Sequence, residues 1–333
     1  MSIQHQQPGL IDPFGRRIDY LRLSVTDKCN LRCFYCLPKG HKDFETPDNW
    51  LSIDETERVI RAFAELGVQR VRITGGEPLV RKDLSTLVSR LHAIEQIEDL
   101  SLSTNATLLA RDAQALKDAG ISRINVSLDS LRADRFKEIT HNGRLDEVLD
   151  GLIAAKAAGL TPIKINMVLM KGINDDEVED MVHFCLEHGF TLRLIETMPM
   201  GASGREGSKH YLNLDTVRKQ LAKRFDLIDS VMAGGGPARY VKIKGTDCNI
   251  GFITPISQHF CETCNRVRLS AEGTLYLCMG QEHTFDLKPV LRAGINDTEL
   301  KQALVHALSL KPKQHEFNSA PQKIVRFMSK LGG

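Results

Sequence analysis

Between residues 18 and 200, short apolar runs alternate with amphipathic stretches, and few folds accept that rhythm. The runs Asp19–Val25, Val68–Thr74, Asp99–Ser103, Arg123–Leu128, Pro162–Val168 and Thr191–Glu196 read as strands. Helical patterns lie between them. One opens on a Ser52/Glu55 capping box, carries Val59, Ile60, Phe63 and Leu66 on one face and stops at Gly67. A second runs from Asp83 through Leu84, Leu87, Val88 and Leu91. A third opens with Asn174 and Glu177 and continues through Val178, Met181, Val182 and Cys185. Parallel neighbours need a long, usually helical connection, so six such units predict a parallel sheet. Six units fit a partial (β/α)6 barrel of the TIM type, over residues 15–200, better than a full eight-unit one.

After Met198 the character changes. Gly201, Gly204 and Gly207 predict a flexible loop, and Gly234, Gly235, Gly236 and Pro237 another. A helix over Leu214–Phe225 and strands over Arg239–Ile243, Asn249–Thr254, Arg266–Ser270 and Thr274–Leu277 suggest a smaller C-terminal α+β region, residues 201–333, packed on the barrel. Neither glycine group is followed by the Lys-Ser/Thr that opens a phosphate-cradling helix.

With 44 Lys+Arg against 42 Asp+Glu, the charge balance demands neither nucleic acid nor an anionic membrane. The N-terminal sequence lacks the apolar segment of a secretory signal, and no run of 18 apolar residues exists, so a cytoplasmic chain is expected. Thiols stay reduced there, and eight cysteines then need a purpose other than disulfides. Six fall into two groups: Cys29, Cys33 and Cys36, and Cys261, Cys264 and Cys278. Cys185 sits on the apolar stripe of its helix as a core residue; Cys248 has no assigned role. His5, His183, His188 and His210 read as surface residues.

The first group is a C-x3-C-x2-C loop directly after the first strand, able to ligate three irons of a cubane and leave the fourth open to a non-protein ligand. The alternative is zinc, with His41 as fourth ligand. For the second group, spacing alone leaves zinc, completed by His259 or His283, level with a second 4Fe–4S centre; the first group tips the choice toward iron. Arg266 and Arg268 follow Cys264 at strand spacing and share one side of their strand.

Strands of a covered parallel sheet are normally continuously apolar, yet here cations interrupt them. Arg22, Arg70, Arg72, Lys164 and Arg193 take lumen-compatible positions, with Asn166 beside Lys164 on one face. Buried unpaired charge costs several kcal/mol, so such a set implies anionic partners. Glu77 and Glu196 are the main carboxylate candidates. The charge they leave unmatched calls for a polyanionic ligand such as a nucleoside triphosphate, whose oxygens suit the guanidinium fork.

The cysteine loop, with Gly75-Gly76-Glu77-Pro78 after the second strand, resembles the radical S-adenosylmethionine (SAM) enzymes. The resemblance implies a radical SAM barrel in which SAM is chelated by the open iron, with Gly76 against its methionine end, Tyr35 near the adenine, and Ser127 and Met198 along the cofactor. Over its whole length the chain is similar to one family of these, the GTP 3′,8-cyclases of molybdenum-cofactor biosynthesis. The matching segments are Arg22-Leu-Ser-Val-Thr-Asp-Lys-Cys29, Arg72-Ile-Thr-Gly-Gly-Glu-Pro78, Ser103-Thr-Asn105, Ile124-Asn-Val-Ser-Leu-Asp129, Lys171-Gly-Ile-Asn-Asp175, Cys261 through Arg268 and the final Gly332-Gly333.

That family likeness implies GTP contacts at Arg22, Arg72, Ser103, Lys164, Arg193, Arg266, Val267 and Arg268, with Arg266 and Arg268 catalytic beside Cys29, Cys33 and Cys36. It further implies a second 4Fe–4S cluster on Cys261, Cys264 and Cys278 that meets the guanine, and a Gly-Gly tail reaching into the active site. By the same likeness, a deoxyadenosyl radical from SAM takes hydrogen from C3′ of GTP, the ribose radical attacks C8, and one electron and one proton complete 3′,8-cyclo-7,8-dihydro-GTP. A flavodoxin or ferredoxin would supply electrons, cyclic pyranopterin monophosphate synthase would take the product, and a homodimer is compatible. One departure stands out: Ala106 occupies the position after Thr-Asn where the family has glycine, which puts the turn, and with it the Ser103 contact, in question if positive φ is required there. Competing assignments are a peptide-modifying radical SAM enzyme and a non-catalytic metal-binding regulator.

Overall fold

A computed structural model describes residues 9–38, 40–42, 44 and 47–332; His5 and Gly333 lie outside them. The order is β1 (Tyr20–Ser24), α1 (Ile53–Glu65), β2 (Arg70–Thr74), α2 (Leu84–His92), β3 (Asp99–Thr104), α3 (Leu109–Asp118), β4 (Arg123–Ser127), α4 (Ala133–Thr140), α5 (Leu145–Ala157), β5 (Ile163–Leu169), α6 (Val178–His188) and β6 (Thr191–Glu196). Then come α7 (Gly201–Ser208), α8 (Leu214–Leu221), β7 (Leu227–Ser230), β8 (Arg239–Ile243), β9 (Asn249–Ile253), β10 (Arg266–Leu269), β11 (Thr274–Tyr276), β12 (Thr284–Asp286), α9 (Lys288–Arg292), α10 (Asp297–Ser309) and α11 (Met328–Leu331). The six expected strands are all present and parallel, each within a residue or two of its expected bounds. The Ser52/Glu55 box caps α1 as expected. Asn174 does not cap α6: its amide donates to the Asp129 and Val168 carbonyls, while Glu177 holds Ser130, Leu131 and Arg135.

The C-terminal region forms no sheet of its own. β10 adds in parallel to the free edge of β1, and β9 in parallel to that of β6, giving the order β12-β11-β10-β1-β2-β3-β4-β5-β6-β9-β8-β7. Residues of β9 and β10 nonetheless line one cavity together, so the arc curls until its flanks face each other without closing.

Period-two alternation sorts the side chains. Leu21, Leu23, Val71, Ile73, Leu102, Ile124, Val126, Ile165, Leu192, Leu194, Val267 and Leu269 enter the core beneath the helices. Tyr20, Arg22, Arg72, Asn166, Arg193, Arg266 and Arg268 line the lumen cavity.

The glycines at 201, 204 and 207 make a helix, not the expected loop. A methyl on Gly204 would stand 2.5 Å from the Met198 carbonyl oxygen, and one on Gly207 2.6 Å from the Tyr35 Cβ. Close backbone packing of α7 therefore overrides the poor helix propensity of glycine. The segment Leu227–Ser230 and helix α10 lay outside the expected elements; α10 has its own Asn296/Glu299 capping box and pairs Lys301 with Glu65 of α1 at 2.8 Å.

Ala106 does adopt positive φ, at 62°, a conformation that costs an L-residue about 1–2 kcal/mol. The Thr104 hydroxyl accepts its N–H at 3.0 Å, and its own carbonyl accepts from Leu109. The turn thus keeps its shape around the misfit residue, and Ser103 still lines the cavity above β3. Ala106→Gly relieves about 1–2 kcal/mol of backbone cost but loses about 0.5–1 kcal/mol to glycine's greater unfolded-state freedom and about 0.8 kcal/mol of methyl burial, so stability should stay within about 1 kcal/mol of wild type. A melting temperature within about 3 °C of wild type checks it.

Candidate active site

The loop after β1 carries Cys29, Cys33 and Cys36 to the wall of a cavity of about 1010 Å³, open mouth included, with Tyr35, Gly76, Ser103, Ser127 and Met198 also lining it. Backbone hydrogen bonds attach this loop to the glycine turn: Gly76 N–H donates to the Thr26 carbonyl and Glu77 N–H to that of Lys28, both at 2.8 Å. A methyl on Gly76 would lie 2.3 Å from the Lys28 oxygen. Glycine is therefore demanded by the loop itself, before any cofactor approaches.

Glu77 is fully buried and accepts from Thr104 Oγ1 (2.7 Å), Asn105 N–H (2.6 Å) and Leu79 N–H (3.0 Å). It braces β3 against the cysteine loop, and burial lifts its carboxyl to about 7. Asp129, not singled out in the sequence, accepts the Tyr35 hydroxyl at 2.6 Å and the Val168 N–H at 2.8 Å. Burial lifts this carboxyl to about 6, while those two donors oppose the rise. An acid just past the C-terminal end of a strand was the only signal for it.

All three thiols are free. Burial pushes Cys29 to about 11 and Cys36 to about 12; Cys33 is raised too, by burial and then by Asp129 and its sister cysteines. Leu31 N–H and Asn105 Nδ2 point at the Cys29 sulfur. Three crowded thiols that resist ionisation on their own suit a metal cluster whose charge would stabilise their thiolates. Among the described residues, no three His, Cys, Asp or Glu side chains group as a single metal ion would require.

The second cavity, about 1100 Å³ with its mouth, adjoins the first: Asn166, Ile195 and Met198 line both. Cys261, Cys264 and Cys278 lie on its wall. Two buried cations hold this triad's segments. Arg16 donates to the Cys261, Pro312 and Lys313 carbonyls at 2.6–2.8 Å, and Lys311 to those of Arg266 and Leu277. Burial raises the Cys261 and Cys278 thiols; for Cys264 burial is outweighed by Lys311, Arg266 and Arg16, and the thiol is lowered.

Arg22, Arg72, Arg193, Arg266 and Arg268 all line this second cavity, and no Asp or Glu among the described residues does. For three of them the hydrogen-bond acceptors are neutral groups. Arg72 donates to Ser101 Oγ (3.3 Å), Arg193 to the oxygens of Asn166 and Asn125, and Arg268 to the carbonyls of Leu331 (3.0 Å) and Gly332 (2.6 Å). Burial, then mutual repulsion, pulls Arg193 and Arg268 down to about 10.

Several expectations need correction here. Arg70 is not a cavity cation, because it pairs with Asp19 at 2.6 Å at the strand entrance, where Arg123 likewise pairs with Asp99. Neither Glu77 nor Glu196 offsets the lumen charge; Glu196 accepts from Ile256 N–H, Ser257 N–H and Tyr211. Lys164 is buried but lines neither cavity, its ammonium lying 5.7 Å from the Tyr240 ring centre. Val267 lines the second cavity and is also part of the hydrophobic core. Cys185 is a core residue, with Cys248 buried in the same cluster.

The C-terminal tail joins the two cavities. Met328 and Ser329 line the first, and Gly332, at φ 67°, lies against Thr74 and Arg268. A methyl there would stand 1.7 Å from Thr74 Oγ1. Gly332→Ala should therefore displace the tail from the lumen, at a cost of about 1.5–3 kcal/mol as Leu331 leaves its buried site. Faster proteolysis of the tail than in the wild type, with a melting temperature lowered by a few degrees, is the expected result.

Comparison with known proteins agrees with this architecture. The Radical SAM superfamily model matches residues 23–185, and the Molybdenum Cofactor Synthesis C model residues 190–317. The GTP 3′,8-cyclase of Hydrogenovibrio crunogenus is 50% identical over 98% of this chain and 100% of its own length. That of Ectopseudomonas mendocina is 48% identical over 97% of this chain and 98% of its own. Among solved structures, Streptococcus suis SuiB bound to S-adenosylmethionine shares the fold with a TM-score of 0.61 at 15% identity, over 94% of this chain and 77% of that one. Near-complete coverage at such identity, with both family models side by side, places the chain in the GTP 3′,8-cyclase family of the radical SAM superfamily.

Proposed function

We propose that the protein converts GTP to (8S)-3′,8-cyclo-7,8-dihydroguanosine 5′-triphosphate, the first step of molybdenum-cofactor biosynthesis. One observation carries this assignment: a thiol-walled cavity adjoins a second that is lined by five arginines and, among the described residues, by no Asp or Glu. When bound, SAM on a 4Fe–4S cluster supplies one-electron chemistry that removes a hydrogen atom from the substrate.

The residues of this chain do the remaining work. Cys29, Cys33 and Cys36 hold the first cluster; Tyr35, fixed by Asp129, bounds the adenine, and Gly76, Ser127 and Met198 bound the rest of the cofactor. Arg22, Arg72, Arg193, Arg266 and Arg268 hold the triphosphate, with Lys164 adding positive charge through its field from behind the cavity wall near Arg193, while Ser103 contacts the nucleotide from β3. Cys261, Cys264 and Cys278 would hold a second 4Fe–4S cluster on the wall of the cavity that takes the nucleotide, where it would supply a Lewis-acidic site for the base. Gripping the nucleotide at both ends restricts the ribose between the cavities, and hydrogen transfer and ring closure both need that restriction. Asn166, Ile195 and Met198, the residues common to both cavities, mark where C3′ would sit. The electron donor is a flavodoxin or ferredoxin, and the product passes to cyclic pyranopterin monophosphate synthase.

GTP deuterated at C3′ tests the chemistry directly. Deuterium is expected in the 5′-deoxyadenosine released; unlabelled 5′-deoxyadenosine would reject GTP as the hydrogen donor.

Lys164 adds a pH signature. Burial, then Arg193, Arg123 and Arg72, holds its ammonium down at about 7. A bound triphosphate favours the charged form, so above pH 7 binding takes up a proton. GTP affinity should therefore fall as pH rises beyond 7, by at most about tenfold per pH unit. Lys164→Met should flatten that slope, as titration calorimetry at pH 6.5, 7.5 and 8.5 would record.

A further inference from the structure

Tyr20 opens β1 at the inner face of the sheet, 3% exposed, and lines the arginine cavity. Register places it beside Arg266 on β10 and Arg70 on β2. Two guanidiniums face its ring, Arg72 at 5.5 Å and Arg266 at 6.0 Å from the centre. Its hydroxyl oxygen is buried and has no hydrogen-bond partner among the described residues.

Those facts conflict if the residue is merely structural. Phenylalanine would offer both guanidiniums the same π-face and would avoid the cost of an unpaired buried hydroxyl. The O–H therefore needs a partner that arrives from outside. Arg22, Arg72 and Arg266 surround it on the cavity wall, and among the described residues no Asp or Glu lines that wall to accept its proton. The incoming partner is then an anionic oxygen. Burial alone would make the phenol a weaker acid, but Arg72, Arg22, Arg266 and Arg123 together outweigh burial and leave it more acidic than usual. More acidic phenols are stronger hydrogen-bond donors, and a donor to an ionised acceptor is the strong kind.

We propose that Tyr20 is a substrate-binding residue: its O–H donates a hydrogen bond to a phosphate oxygen of the bound nucleotide, while its ring spaces Arg72 and Arg266 around that phosphate. This rests on the nucleotide assignment above and adds a neutral, directional donor to a set of cations. Guanidiniums alone attract any polyanion; a phenol at fixed distance from two of them selects a position for one oxygen.

The test compares wild type with Tyr20→Phe and Tyr20→Leu as full chains, anaerobically reconstituted, by titration calorimetry with GTP and with inorganic triphosphate. For Tyr20→Phe, affinity for both ligands should fall about tenfold, the loss of one hydrogen bond to a charged acceptor. SAM affinity should not change, and the ligand-free melting temperature should stay level or rise. Tyr20→Leu, which also removes the π-face, should bind both ligands still more weakly. Equal triphosphate affinity in the Phe variant, or a lower ligand-free melting temperature, would overturn the proposal while leaving the nucleotide assignment standing. A wild type that binds neither GTP nor triphosphate would remove that assignment itself, and the role of Tyr20 with it.

Discussion

Positive charge held inside the barrel by neutral partners is the constraint around which the rest of this molecule is arranged. Ser101, Asn125, Asn166 and the tail carbonyls orient Arg72, Arg193 and Arg268 by hydrogen bonding. Each of these partners is uncharged, so the guanidiniums are aimed and their charge is left intact. A carboxylate in the same place would orient equally well and neutralise as it did so, leaving little attraction for an anion. The repulsion that remains is visible in Arg193 and Arg268, which burial and neighbouring cations both pull down. Binding a polyanion removes that repulsion, so the strain of assembling the site becomes part of its affinity.

The fold separates this charge from other demands. At the strand entrances, Arg70 and Arg123 are neutralised by Asp19 and Asp99, which closes that end of the barrel with ion pairs. Further along the strands, the acids are occupied by backbone N–H groups. Glu77 ties the cysteine loop to β3, and Glu196 gathers the turn at Ile256 and Ser257. The positive cavity thus lies between a neutralised entrance and a rim of carboxylates already engaged. Arg16 and Lys311 serve differently again, holding loop carbonyls around the second cysteine triad.

How much of this could be read beforehand depended on the range of the interaction. The six parallel strands, the Ser52 cap and both cysteine triads were legible because each is local: a period of two, a spacing of three, a short loop. Arg22, Arg72 and Arg193 stood out because a cation in an otherwise apolar strand breaks a strong pattern. The edge positions of β9 and β10 were not legible, since their pairing with β6 and β1 joins distant segments and leaves no local mark. Glu77 and Glu196 were misread as counter-ions because the donors that engage them are largely backbone groups, which no side-chain pattern reveals. The glycines of α7 were misread for a related reason: a need for close approach to Tyr35 and Met198 looks, in sequence, the same as a need for flexibility. Tyr20 passed unnoticed because an aromatic residue at a strand start is ordinary until its hydroxyl is seen to lack a partner.

The tail connects these observations. Arg268 takes its fixed acceptors from the far end of the chain, the carbonyls of Leu331 and Gly332. A few residues earlier, Met328 and Ser329 line the first, cysteine-walled cavity. The last turn of the chain therefore touches both halves of the site at once. It can do so only because Gly332 has no side chain to meet Thr74, the last residue of β2 before the glycine turn that holds the cysteine loop. A displacement of that loop would reach Arg268 through two short steps, Thr74 to Gly332 and Gly332 to the guanidinium. The cysteine loop and the aim of a cavity arginine are thus linked by direct contacts through the C-terminal residues, a connection that neither cavity possesses by itself.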